Sequence, residues 1–377
     1  MAGWVRGLRR RVVRALRTRA AARPAGDAWA PKLELVARRV ARGLKRLERA
    51  VLPTSAIAAE ESVADSGRRV RVTQPLVLIT QMGRSGGTLL LHLFDGHPSC
   101  LVVPHELSAL LTAERLNGAA ADVFEVLTPR QLAKWRASGV RVGKEGIAGP
   151  RRYAPALDLP PSLVRQLFLA SFPESAHSDR DVLDAYFSAY FSAWKDRLDS
   201  NEPPRWVIGF EPGAIGDEAR MTRYDANYPD GRVISVLRDP WSWFVSARRW
   251  SLRFAHVDVA LARWRRTVEC ALAYRERSPD RIALIAFDDL VLDTASVTAR
   301  LCDFLEIPVS EAMLMPTFNG APVDDNSSFA GSSGGVSRDP AMKRRAELTD
   351  DEAATIDARV GTLWRAALAV LDTEAAV

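Results

Sequence analysis

The residues best able to do chemistry lie in two short segments. The first, Gln81-Met82-Gly83-Arg84-Ser85-Gly86-Gly87-Thr88, puts three glycines, one guanidinium and two hydroxyls in a single run. Glycines let a backbone curl closely around an anion, with successive N–H groups pointing into the concavity. A phosphate is the expected guest of Gly83, Arg84, Ser85, Gly86, Gly87 and Thr88. No Gly-Lys-Ser/Thr closes the loop, and Arg84 stands at its start instead, which disfavours magnesium–ATP chemistry. The second segment runs Arg238-Asp239-Pro240-Trp241-Ser242-Trp243-Phe244-Val245-Ser246. Its guanidinium and its terminal hydroxyl are suited to clamp a second phosphate. Two phosphate sites imply a bis-phosphorylated nucleotide.

These groups need rigid carriers. Leu76-Val77-Leu78-Ile79-Thr80 is a short continuous apolar run, the pattern of a strand buried on both faces. Leu89-Leu90-Leu91 with Leu93 and Phe94 then begins a helix that Gly96-His97-Pro98 ends. Strand, glycine loop and helix form a phosphate-binding unit, and the helix N-terminus adds its partial positive charge. Val233-Ile234-Ser235-Val236-Leu237 is a second buried strand. Pro240 can open the following helix at its first turn, where the missing N–H costs nothing. Arg238 then stands at a strand's C-terminal end, where ligands gather in open parallel sheets. The expected fold is α/β: a three-layer P-loop fold with a central parallel sheet flanked by helices, plus a helical N-terminal leader.

At these residues the chain resembles the PAPS-dependent sulfotransferases, in particular the bacterial-type and Golgi-type branches whose loop reads PRSGTTLL where this chain has MGRSGGTLL. PAPS is 3′-phosphoadenosine-5′-phosphosulfate and PAP the product left after sulfuryl transfer. The resemblance implies that the loop holds the 5′-phosphosulfate, that Arg84 meets the bridging oxygen, and that Arg238 and Ser246 hold the 3′-phosphate. It implies a late Gly/Arg loop closing over the nucleotide, through Arg338 or Arg344. It also implies a general base after the His97-Pro98 pair: Glu106 is the nearest match, and His105, whose ordinary pKa lies nearer neutrality, is its competitor. The segment Phe287-Asp288-Asp289-Leu290 with Leu301-Cys302-Asp303-Phe304-Leu305 resembles the family's YEDL…LCDFLGLP and is read as structural. Gly87 departs from the family, standing where many relatives carry Thr, and Trp206 to Pro212 lacks the Lys of the tyrosyl-protein branch. The expected activity is transfer of the sulfuryl group of PAPS to a hydroxyl of a carbohydrate, glycolipid or small metabolite. The alternatives are a P-loop kinase using ATP and a catalytically silent nucleotide-binding or membrane-associated protein.

The 377 residues carry a formal charge of +6, but unevenly. Residues 1–50 hold fifteen basic residues against three acids, a net of +12, leaving −6 on the remaining 327. A polyanionic partner such as nucleic acid is therefore not expected. Trp4, Leu8, Val12 and Leu16 fall on one helical face among arginines, and Leu33, Val36, Val40, Leu44, Leu47 and Val51 mark a second amphipathic stripe. Such a leader either lies on an anionic membrane surface, packs on the acidic body, or serves as a transit peptide. The expected division is a leader over 1–52, a linker over 53–72 and the catalytic domain over 73–377. No run is long and apolar enough to span a bilayer, which places the protein in the cytoplasm or at the inner membrane face. Cys100, Cys270 and Cys302 show no CxxC pairing and are expected to be buried and inert. The five histidines lack metal-ligand spacing, so no metal is expected. His97 is expected to favour a helix C-terminal dipole. The stripe Tyr186, Phe187, Tyr190, Phe191 and Trp194 is expected to be core, as are Trp241, Trp243, Trp250 and Trp264. A single C-terminal helix over 349–371, capped by Thr349 and Glu352, should bury Ile356, Val360, Leu363, Ala367 and Val370.

Overall fold

The computed structural model describes residues 69–107, 116, 118–127, 140–141, 151–152, 161–173, 178–194, 203–318, 321–322, 336 and 344–375. All fall within the compact unit Val63–Val377. The leader, most of the linker and Arg338 lie outside the described residues.

Five strands form the central sheet: β1 (Leu76–Ile79), β2 (Cys100–Glu106), β3 (Trp206–Phe210), β4 (Arg232–Leu237) and β5 (Ile282–Ala286). Their order is β2-β3-β1-β4-β5 and every pairing is parallel. Both expected strands are present, buried on both faces as their apolar runs require.

Helix α1 (Gly87–Phe94) follows β1. Three further helices, α2 (Ala120–Leu127), α3 (Pro161–Ser171) and α4 (Asp179–Ala193), precede β3. Helix α5 (Glu218–Asn227) leads to β4, and α6 (Pro240–Trp250) and α7 (Val257–Arg277) lead to β5. After β5 come α8 (Phe287–Leu292) and α9 (Thr294–Phe304), then α10 (Asp350–Ile356) and α11 (Thr362–Ala375). On one face of the sheet Val77, Ile79, Ile208, Ile234 and Ile285 pack with Leu90 and Phe94 of α1 and Leu301 of α9. Leu76, Leu78, Val233 and Leu284 alternate to the other face, and α7 and α11 contact β5. This is the expected three-layer arrangement.

The chain leaves β1 toward β2 and leaves β4 toward β5, so connections diverge between two adjacent strands. That is a topological switch point, and it opens a crevice at the C-terminal ends of β1 and β4. The domain's own entry segment is tied down beside α4: the Val70 and Val72 N–H groups donate to Ser192 Oγ and Ser188 Oγ, each at 2.8 Å.

Several expectations need correction. The C-terminal helix is two helices with a π-turn over Asp357–Gly361 between them. The inserted residue advances the buried face by one position, so Trp364 and Leu371 are buried in place of Leu363 and Val370, while Ile356, Val360 and Ala367 keep their places. His97 is buried; its Nδ1 accepts from the Ser99 N–H at 3.1 Å and its Nε2 lies 2.9 Å from the Pro308 carbonyl. That pairing requires the neutral ring protonated at Nε2, so the residue cross-links the α1 exit to a distant loop and does not serve the dipole as a cation. Cys100 and Cys302 are buried, and burial pushes both thiols up, but Cys270 is half-buried. Trp250 is 42% exposed, while Trp243, Trp264 and the α4 aromatics are core.

Candidate active site

The loop between β1 and α1 is built on two left-handed backbone positions, Arg84 with φ 77° and Gly86 with φ 94°. At Gly86 the absence of a side chain is also a packing requirement, because a Cβ would lie 2.7 Å from Phe287 Cδ2. Arg84 is in the same region without glycine's freedom, a mild strain of the kind stored at ligand loops. Gly86 caps α1 without a side-chain hydrogen bond, and no acidic residue stands in the first turn. The first-turn N–H groups thus have no intrahelical acceptor, and they carry the positive end of the dipole.

The β4–α6 segment holds this loop from behind. Trp243 Nε1 donates to the Gly83 carbonyl at 2.9 Å, and Arg238 Nη1 donates to the Arg84 carbonyl at 2.9 Å. Trp264 Nε1 of α7 donates to the Arg238 carbonyl at 3.0 Å. Asp239 caps α6, accepting from the Ser242 N–H at 2.9 Å, and Pro240 fills the first helical position as expected.

Arg238 is 3% exposed, and its guanidinium lies 4.2 Å from the centroid of the Phe287 ring. Phe287, the first residue after β5, is therefore wedged between Gly86 and Arg238. Burial, with the nearby Arg344 guanidinium, pushes Arg238 down from the ordinary arginine range to about 9; Asp239 partly offsets this and Arg84 adds to it. Three guanidiniums thus act on one another at the switch point. Arg344 is buried in a 3-10 turn, Arg344–Glu347, whose Arg345 pairs with Asp239 Oδ1 at 3.3 Å and lies over the Trp241 ring.

The described residues do not satisfy all of these groups. Nε and Nη2 of Arg238, Oγ of Ser246, Oγ of Ser85 and Oγ of Ser235 are buried without a hydrogen-bond partner. A buried, unpaired polar group costs about 1–3 kcal/mol, so each of these groups destabilises the empty fold until something pairs with it.

The strand ends lay the candidates out in a row. Arg238 directly follows β4, next to the loop after β1, and Glu106 ends β2, two strands from β1 on the other side. At about 4.8 Å per strand, Glu106 stands about 10 Å laterally from the β1 end. Glu106 is exposed and pairs in register with Phe210 at the end of β3. His105 lies in the same strand; its side chain is outside the described residues, as is the whole of Arg338. The structure therefore brings the loop residues Gly83, Arg84, Ser85, Gly86, Gly87 and Thr88 together with Arg238 and Arg344; Ser246 is buried in α6, and Glu106 stands at the far end of the row.

Phe287, Trp243, Trp264 and Asp239 were not expected as parts of the site. Only Asp239 had a local signal, as an Asp before a helix-opening Pro. The other three act through contacts that no short sequence window contains.

A parallel α/β sheet with an anion-binding loop at its switch point is the architecture of a P-loop nucleotide-binding protein. The model of the sulfotransferase family matches residues 75–311, and the chain belongs to that family. It is a transferase of the sulfuryl group. Among solved structures it is similar to the sulfotransferase domain of the Synechococcus PCC 7002 olefin synthase, at 19% identity over 77% of this chain and 96% of that one, TM-score 0.48. It is also similar to sulfotransferase STF9 from Mycobacterium avium, at 17% identity over 81% and 85%, TM-score 0.36. A third is retinol dehydratase in complex with androsterone and inactive cofactor PAP, at 16% identity over 78% and 81%, TM-score 0.33. No curated protein sequence matches the chain. No described helix is long and apolar enough to cross a membrane.

Proposed function

We propose that the nucleotide of PAPS lies over the ends of β1, β4 and β5 and that the acceptor, a hydroxyl of a carbohydrate, glycolipid or small metabolite, approaches over β3 and β2. The observation that carries this reading is the cluster of unpartnered buried atoms on Arg238, Ser246 and Ser85 beside Arg84 and Arg344. Arg238 and Ser246, with Arg344 behind them, hold the 3′-phosphate. Gly83, Ser85, Gly86, Gly87, Thr88 and the α1 N-terminus hold the 5′ end.

In the transfer, the acceptor oxygen forms a bond to sulfur as the bond from sulfur to the phosphate oxygen breaks. The acceptor proton passes to the Glu106 carboxylate, and the negative charge gained by the leaving phosphate is met by Arg84 and the loop N–H groups. Arg84 acts electrostatically, since a guanidinium does not readily give up a proton. The leader over 1–52 is proposed to hold this domain, 73–377, at an anionic membrane surface, the support being its +12 charge and amphipathic stripes.

Calorimetry with PAP at low salt tests the site. The full chain binds PAP, and Arg238→Ala and Ser246→Ala weaken it. Transfer of labelled sulfate to an acceptor pool is lost in Arg84→Ala and Glu106→Gln and retained in His105→Ala. Absence of PAP binding, or tighter magnesium-dependent ATP binding, refutes the reading; loss of transfer in His105→Ala alone moves the base to His105. Removing residues 1–50 abolishes binding to anionic vesicles and keeps PAP affinity, and persistent vesicle binding refutes the anchor.

A further inference from the structure

Gly87 is the first residue of α1, where a side chain would adjoin the bound anion, and it has none. The space is not empty. A Cβ built on Gly87 would lie 1.8 Å from Gln81 Nε2, 2.6 Å from Gln81 Cδ and 2.6 Å from Phe210 Cε2. The amide of Gln81, the second residue after β1, therefore fills the place that a side chain at position 87 would take.

The protein holds this amide by its backbone and not by its polar atoms. The Gln81 carbonyl accepts from the Gly213 N–H at 2.8 Å, and the preceding Thr80 Oγ1 accepts from the Ile215 N–H at 3.0 Å. The side chain is 1% exposed, yet its Oε1 is buried without a hydrogen-bond partner among the described residues, and none of them is hydrogen-bonded to Nε2. Among the described residues Nε2 is a donor left without an acceptor, which a phosphate oxygen would supply; Oε1 is itself an acceptor and gains nothing from the phosphate. The amide stands beside Gly87 at the α1 N-terminus.

We infer that Gln81 is a binding residue for the co-substrate: its Nε2 donates to a non-bridging oxygen of the 5′-phosphate, supplying from the β1 end the side-chain donor that Gly87 lacks. Gly87 and Gln81 then form one unit, the glycine making the room and the glutamine using it. This rests on the placement of PAPS proposed above.

The test is calorimetry of the full chain with PAP, which carries the 5′-phosphate, on variants whose melting midpoints show them folded. A hydrogen bond to a charged oxygen predicts that Gln81→Ala loses about tenfold or more in PAP affinity. Gln81→Glu keeps the shape but replaces the donor with a carboxylate and is expected to lose more, about a hundredfold. Gly87→Thr alone is expected to weaken binding because it collides with Gln81. A Cβ at position 87 would also meet Phe210 Cε2 at 2.6 Å, so the rescue is made in a Gln81→Ala, Phe210→Leu background. There Gly87→Thr is expected to recover at least threefold of the affinity lost in that background, while Gly87→Val, of equal shape but without the hydroxyl, recovers none.

Wild-type affinity within twofold in Gln81→Ala overturns the inference. So does equal recovery by Thr and Val, which would make the pair a packing unit only. Failure of the wild-type chain to bind PAP is a separate result: it overturns the PAPS placement, and this inference with it.

Discussion

Replacing Arg238 with Met should make the empty protein more stable and the nucleotide-bound protein less so. In the absence of an anion the guanidinium is held at about 9, roughly three to four units below the ordinary arginine range, chiefly by burial and then by Arg344. At about 1.4 kcal/mol per tenfold change in proton affinity, the charge costs the apo fold on the order of 4–5 kcal/mol. Because the folded value lies below the unfolded one, this cost is present in full below pH 9 and fades only as pH rises from there toward the ordinary arginine value. Met loses the bond to the Arg84 carbonyl and the contact with Phe287, together worth about 2–3 kcal/mol. A net gain of about 1–3 kcal/mol remains, a rise of roughly 2–5 °C in melting midpoint. With PAP the order reverses. Wild type at a hundredfold excess over Kd gains about 2.7 kcal/mol by mass action. Deleting a buried charged partner of the phosphate costs about 2–5 kcal/mol, so the variant gains almost nothing. Thermal melts with and without PAP should therefore cross. A variant that melts below wild type when empty and still binds PAP within threefold would refute both the electrostatic argument and the assignment of Arg238.

Two further substitutions separate other parts of the argument. Gly86→Ala imposes a left-handed backbone on alanine and drives its Cβ to 2.7 Å from Phe287, which together should cost about 2–4 kcal/mol in urea unfolding. Gly83→Ala is the control, since nothing lies within 4 Å of its Cβ and its change should stay within about 0.5 kcal/mol. Burial pushes the Asp184 carboxyl up from 3.8 to about 6, partly opposed by Arg180 at 3.7 Å. A raised carboxyl adds stability below its unfolded value and loses it as pH rises through 6. Asp184→Asn should therefore stabilise by about 1–2 kcal/mol at pH 7.5 and by nothing near pH 4, which unfolding curves at the two pH values would check.

What the sequence made legible was whatever a short window contains. The run Leu76–Thr80 followed by three glycines defines strand and loop because burial on both faces and a tight curl each need particular residue types in succession. Arg238 and Ser246 were legible for a related reason, since strand end and helix start fix their separation. The C-terminal helix shows the limit of such periodic reasoning. Its capping box, Thr349 with Glu352, is local and formed as expected, but after the π-turn over Asp357–Gly361 burial moves from Leu363 to Trp364 and from Val370 to Leu371, while Ala367 stays buried. Nothing in a hydrophobic stripe of mixed Ala, Leu and Trp marks where a turn of that kind will insert.

The parts of the site that were not legible share one property: they act across the sheet. Phe287 reads locally as the first residue of a structural segment, and only the pairing of β5 with β4 puts its ring under Arg238 and against Gly86. Trp243 and Trp264 read as core, and they are core, yet their indole N–H groups fix two carbonyls that set the shape of the loop and of the strand end. The charge follows the same logic. A body with a net −6 offers no hint of an anion site, because overall charge averages over the surface while binding depends on a few desolvated groups. Bringing Arg84, Arg238 and Arg344 near one another is unfavourable for the empty fold, so the surrounding structure must impose it: Trp243 and Trp264 hold the backbone, Phe287 supports the guanidinium, and Asp239 holds Arg345 of the turn that carries Arg344. The residues that do the holding are therefore as much a part of the anion site as those expected to touch the anion.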